Sequence, residues 1–179
     1  MLDHMSGGRI EIGFGRGSVP FEISYYGQNA EERQQIYAER LELILKAFTV
    51  KTLDGKEVPF KSFASGKPVL VDFWATWCAP CVSAMPELQK LHQRHAAKGF
   101  SVVGISIDEE QRKARKFAEK KKLAYPVYLD ATKTPAWSVF HVRVIPAVFL
   151  VDAEGRIVQQ WLGKVDMNEV EQAVAKLVG

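Results

Sequence analysis

The chain holds only two cysteines, Cys78 and Cys81, in the spacing C-x-x-C. One such pair cannot form the disulfide framework of a secreted scaffold, so its chemistry should be redox or metal binding. The stretch before it, VLVDFWATW from Val69 to Trp77, reads as a nearly continuous apolar run broken by one carboxylate, Asp72. An unpaired acid in a buried strand is costly and an apolar side chain would fit better, so Asp72 needs a reason to be there. Cys78 falls just after that strand and at the start of a helix. Unpaired backbone N–H groups and the positive end of the helix dipole there favour a thiolate and lower the pKa of the first cysteine. Cys81, one turn further in, should be less exposed and placed to attack a mixed disulfide formed on Cys78. With His92 and His95 the pair gives C-x2-C-x10-H-x2-H. Both intervals are shorter than those of the usual zinc finger, and the cysteines lie between a strand and a long helix rather than in a small hairpin, so no metal site is expected.

The elements that must hold these residues are legible around them. VLVDFWA is a strand-length apolar run of the kind covered on both faces in a parallel sheet. A helix should follow from about Ala79 to Ala97, with Met85, Leu88 and Leu91 on one side and Pro86 kinking it. FSVVGISI (100 to 107) reads as a second buried strand, and Asp108 with Gln111 as a capping box for the next helix. This alternation argues for βαβ units with right-handed crossovers. FTVKTLDGKEVPF reads as a leading hairpin turned at Asp54-Gly55. Near the C-terminus AVFLVD and RIVQQWLG flank the turn Ala153-Glu154-Gly155, so the sheet should end in antiparallel strands and be mixed. The last helix should start at Asp166, with Glu169 completing a capping box and Val170, Ala173, Val174 and Leu177 forming its apolar stripe.

At 179 residues, 47% hydrophobic and 25% charged, the chain has room for one well-buried domain and an appendage, which excludes wholesale disorder and fibrous classes. No segment approaches the roughly 20 apolar residues of a membrane helix, and, with no apolar run behind a basic start, no secretory leader is expected in the sequence as given. As it stands the chain points to the cytoplasm; a leader removed beforehand would make it periplasmic or extracytoplasmic. The net charge is +3, with the basic excess beyond residue 48 and concentrated in QRKARKFAEKKK (111 to 122). Ala114, Phe117 and Ala118 form an apolar stripe there, and the charges read as a solvated face. No aromatic residues interleave with them, so no nucleic-acid partner is expected.

FWATWCAPC, Pro86 five residues after Cys81, the Ile145-Pro146 step before AVFLVD and Gly163 beyond it together resemble the thioredoxin fold superfamily, and within it the TlpA/ResA-like thiol-disulfide oxidoreductases. The resemblance covers residues 48 to 179. It implies an α/β thioredoxin-like fold with a mixed central sheet flanked by helices. Asp72, six residues before Cys78, takes the position of the buried carboxylate that thioredoxins place beneath the second cysteine. A raised pKa there would let it act as general base for Cys81. Pro146 should be cis, leaving the backbone of Ile145 free to pair with an extended substrate segment. Trp77, Ala79 and Pro80 would shape the substrate surface, whereas Trp74 belongs to the core. Two departures occur: Ala84 stands where TlpA/ResA-like proteins often carry a glutamate, and FSVVGISI lacks the lysine that thioredoxins often pair with the strand acid.

Residues 6 to 48, from GGRIEIGFGRGSVPFEISYYG to EERQQIYAERLELILKAF, resemble one strand-loop-helix unit of the luciferase-like flavin monooxygenases. One unit cannot close a barrel or enclose a flavin. GFGRG alone lacks the full phosphate-loop spacing. Residues 1 to 47 therefore read as an appendage to a redoxin domain at 48 to 179, with no cofactor expected. Its helix stripe at Ile36, Tyr37, Leu41, Ile44, Leu45 and Phe48 would pack on the redoxin domain or form a homodimer. The expected function is dithiol-disulfide exchange with protein disulfides, supplied by an upstream thiol reductant. The alternative is a redox-switched binding module without turnover. A peroxiredoxin reading fits less well, because that chemistry resembles a T-x-x-C site and Thr76 stands only two residues before Cys78.

Overall fold

Leu70, Asp72 and Trp74 alternate with Val69, Val71 and Phe73 in strand β3 (Val69–Trp74), and every residue of that strand is buried. The same is true of β4 (Ser101–Ser106). Burial on both faces is what a central parallel pair requires, and β3 and β4 pair in parallel, with Asp72 in register with Gly104. The computed structural model describes residues 49–64, 66–130 and 135–179. The appendage reading and any contact through it fall on residues outside that set.

The remaining strands among the described residues are β1 (Thr49–Thr52), β2 (Glu57–Pro59), β5 (Val127–Leu129), β6 (Ala147–Val151) and β7 (Ile157–Leu162). Together they complete a seven-stranded sheet in the order β2-β1-β5-β4-β3-β6-β7. The expected leading hairpin is present as β1 and β2, which pair antiparallel, and β1 also joins the sheet through β5. The expected mixed character is present as well, since β6 pairs antiparallel with both β3 and β7. The turn between β6 and β7 is held by Asp152, which accepts from the backbone N–H groups of Glu154 and Arg156 and from the Arg156 guanidinium.

Five helices among the described residues cover the sheet: α1 (Lys61–Ala64), α2 (Ala79–His95), α3 (Gln111–Lys121), α4 (Ala136–Val139) and α5 (Met167–Val178). The helix expected over 79 to 97 runs unbroken through Pro86, ends at His95 and passes through a 3-10 turn (Ala96–Lys98). Gly99 stops it at φ +78, a conformation glycine adopts without steric cost. Leu88 and Leu91 of α2 pack with Leu70, Val148 and Leu150 of the sheet and with Val170 and Val174 of α5. The α2–α5 contact is tied at its edge by Glu171, which takes His95 Nε2 at 2.9 Å and Arg94 at 2.7 Å. Phe117 of α3 lies against Trp74, so α3 shares this face of the sheet. On the other face Phe73 and Phe149 of the sheet pack with Phe140, and Phe60 reaches the same ring.

Two capping boxes resolve differently from expectation. Asp166 does cap α5, accepting from Asn168 N–H, but Glu169 accepts from the Trp161 indole instead of turning back to the cap. The N-cap of α3 is Glu110, whose carboxylate takes Lys113 Nζ and makes no capping bond to the helix amides, and Asp108 is used elsewhere. The basic run of α3 buries Ala114 and Ala118 and leaves its lysines exposed, with Lys121 over the Phe117 ring. Among the described residues no helix is long and apolar enough to cross a membrane.

Candidate functional site

Cys78 is the N-cap of α2, with extended backbone angles that end β3's direction and start the helix. The N–H of Cys81 donates to Cys78 Sγ at 3.3 Å, so the first cysteine sits where the unpaired amides of the helix start converge. The two cysteines are joined as a disulfide. Both are nearly buried, Cys78 at 5% exposure and Cys81 at 1%, and Cys78 is the one nearer the surface. Ala79 and Pro80 are exposed beside them, and Pro80 occupies the first turn, where its missing N–H costs nothing. Trp77 is 68% exposed, which in so large an apolar side chain marks a contact surface.

Asp108 positions this turn. Its carboxylate accepts from the Thr76 N–H at 2.9 Å and from the Thr76 hydroxyl at 2.6 Å, while Ser106 Oγ donates to it at 2.8 Å. The loop leading to Trp77 and Cys78 is thereby fastened to the end of β4. Sequence reasoning assigned Asp108 to helix capping and missed this role. The available signal was Thr76 itself, a hydroxyl in a strand-to-helix turn that needs a partner.

The Ile145-Pro146 bond is cis. Ile145 packs against the cluster formed by Trp74, Ala75, Cys78, Cys81 and Met85, which brings this loop beside the cysteines. The Pro146 carbonyl accepts from Gly163 N–H at 2.8 Å, whereas neither backbone group of Ile145 is bonded to another described residue. Trp77, Ile107, Trp137, Val142, Val144 and Ile145 line a groove of about 590 Å³ together with Arg143 and Glu109. Trp137 was not anticipated from the sequence; its 44% exposure is visible only once α4 is placed.

Asp72 is 1% exposed, and its Oδ2 has no hydrogen-bond partner among the described residues. Burial alone pushes its pKa up to about 7. Asp72 shares a face of β3 with Trp74, two residues on, and Trp74 belongs to the cluster around the cysteines. A carboxyl that titrates near neutrality can exchange a proton with a thiol in either direction. The two histidines are engaged apart from the cysteines: His92 Nδ1 accepts from Val102 N–H, and His95 pairs with Glu171.

Residues 43–160 match the AhpC/TSA family. Residues 1–71 match the luciferase-like monooxygenases, but from residue 49 onward that stretch supplies β1, β2, α1 and the start of β3 of the sheet described above. The thiol-disulfide oxidoreductase ResA of Bacillus cereus is 30% identical over 162 residues, 90% of this chain and 89% of that protein. That span is longer than residues 48 to 179, so it reaches into the N-terminal segment as well. The thioredoxin-like protein YneN of Bacillus subtilis (strain 168) is 34% identical over 128 residues, covering 70% of this chain and 73% of the relative. Among solved structures, the thioredoxin domain of a thiol-disulfide oxidoreductase from Bacteroides vulgatus superposes with a TM-score of 0.66 at 30% identity, over 74% of this chain and 93% of that one.

Proposed function

The chain belongs to the AhpC/TSA family and is a thiol-disulfide oxidoreductase, and from that premise we propose that it exchanges its dithiol with the disulfides of protein substrates. The observation that carries this reading is the Cys78–Cys81 disulfide at the start of α2, beside an apolar groove and an unengaged Ile145 backbone. In the reduced protein, the Cys78 thiolate attacks one sulfur of a substrate disulfide. A Cys78–substrate bond forms and the other substrate sulfur leaves as a thiolate. Cys81 then gives its proton to Asp72 and attacks Cys78 Sγ. The Cys78–Cys81 bond forms, the second substrate thiolate leaves, and the substrate has gained two electrons. An upstream thiol reductant returns the pair to the dithiol.

An extended segment fits the groove, with its backbone paired to Ile145 as an added strand and its apolar side chains against Trp77 and Trp137. Ala79 and Pro80, exposed next to Cys78 in the chain, border the reacting sulfur. Residues 1 to 47 form a separate appendage in this reading, related to a luciferase-like barrel unit and outside the thiol chemistry.

Turnover separates an enzyme from a redox-switched binding module. With excess dithiothreitol and a disulfide-containing protein such as insulin, the chain should reduce many equivalents of substrate per molecule. A reaction that stops near one equivalent while dithiothreitol remains would establish the module instead.

A further inference from the structure

Three buried polar atoms in one neighbourhood lack a hydrogen-bond partner among the described residues: Asp72 Oδ2, Trp74 Nε1 and Tyr125 Oη. Asp72 and Trp74 point from the same face of β3. Gly104 stands beside Asp72 on β4. A Cβ on Gly104 would lie 3.1 Å from Trp74 Nε1 and 3.2 Å from Tyr125 Cε2, the ring carbon next to the one that bears the hydroxyl. The indole N–H and the phenol edge therefore close over the bare backbone of Gly104, where a longer side chain such as lysine would have no room. The charge of Asp72 is felt at the phenol: burial first, and Asp72 second, raise the Tyr125 pKa. Among the described residues no charged partner acts on Asp72 itself, and the His92 ring stands edge-on to the Tyr125 ring with centroids 6.3 Å apart.

Two donors and one acceptor, all buried, meet the requirement for an internal water with two to four polar partners. We propose that Tyr125 is a positioning residue for the resolving step, its hydroxyl and the Trp74 indole holding one internal water against the Asp72 carboxyl. The water donates to the ionised carboxylate, so the form that accepts the Cys81 proton keeps a hydrogen bond in a site that otherwise disfavours its charge. This rests on the reading of Asp72 as the base for Cys81.

Tyr125→Phe keeps the ring and removes the hydroxyl. The test is the pH dependence of resolution, followed as release of glutathione from a Cys78–glutathione mixed disulfide in single turnover. Loss of the donor should move the midpoint of the profile upward by about one pH unit, with resolution about tenfold slower below it. Gly104→Ala, which fills the space and leaves the hydroxyl in place, should move the midpoint in the same direction. A folded Tyr125→Phe protein with the parental midpoint overturns the proposal, provided Asp72→Asn abolishes the pH dependence. If Asp72→Asn leaves the profile unchanged, the base reading fails and the role of Tyr125 falls with it.

Discussion

Burial sets the behaviour of Asp72, and its effect on stability has a definite sign. Its folded pKa, about 7, lies above the ordinary value of 3.8. Below about pH 4 both the folded and unfolded chains hold the proton, and the group costs nothing. Between about pH 4 and pH 7 the unfolded chain ionises first, so stability falls as pH rises, and it levels off once the folded carboxyl ionises too. The full loss is on the order of 4 kcal/mol. Asp72→Asn should remove that slope: in denaturant melts of the oxidised protein the variant should gain on its parent progressively from about pH 4 to about pH 7 and keep a constant advantage above that. In the reduced protein the same variant should resolve mixed disulfides about a hundredfold more slowly near neutral pH, read by stopped-flow Trp fluorescence. Equal rates with a loss of stability would make Asp72 a structural residue. Its importance was legible in the sequence because a lone acid in VLVDFWA contradicts the pattern around it. The part played by Tyr125 was not, since KKLAYPVYL carries no sign that the first of its two tyrosines folds against a strand more than fifty residues earlier.

The strands and helices that flank the cysteines were readable from periodicity, whereas the bonds that lock them together were not. β3, α2 and β4 follow from two apolar runs and a helical stripe, because burial on both faces and on one face leave distinct patterns. Asp108 shows where that reading stops. Its spacing to Gln111 fits a capping box, yet the carboxylate is taken by Thr76, a partner that only the parallel pairing of β3 with β4 brings within reach. Asp108→Ala should leave the Thr76 N–H and hydroxyl without their acceptor and cost about 1–3 kcal/mol, measured by urea unfolding. Its turnover should fall with it, because the tie leads directly into Trp77 and Cys78. Thr76→Ser, which keeps the hydroxyl, should restore neither loss in the Asp108 variant but be close to neutral alone. Gly104→Ala tests the neighbouring contact: a methyl against the Trp74 indole and the Tyr125 ring should cost about 1–3 kcal/mol through overpacking.

At the scale of the whole chain, every residue placed in the reaction lies at or beyond Val69, on the mixed sheet and the helices that cover it. The redoxin architecture was legible because its motifs are spread across that entire stretch, from FWATWCAPC to the cis Ile145-Pro146 bond. The N-terminal segment offers one strand-loop-helix pattern, shared by proteins of unrelated function, and matches both the luciferase-like monooxygenases and, through the longer alignment, ResA. Deletion of residues 1 to 46 should leave disulfide reductase activity within about twofold while changing solubility or sedimentation, since it removes most of the apolar stripe expected from the sequence and uncovers any surface that stripe covers. Saturable binding of flavin mononucleotide to the intact chain, or loss of activity in a folded truncation, would contradict that division. The mechanism depends above all on which sulfur meets the substrate. Reduced Cys81→Ser and Cys78→Ser proteins, each mixed with a protein disulfide and examined by intact-mass spectrometry, decide it. Cys81→Ser should accumulate a covalent substrate adduct and Cys78→Ser should not; an adduct on Cys78→Ser alone would reverse the roles of the two cysteines and contradict the mechanism.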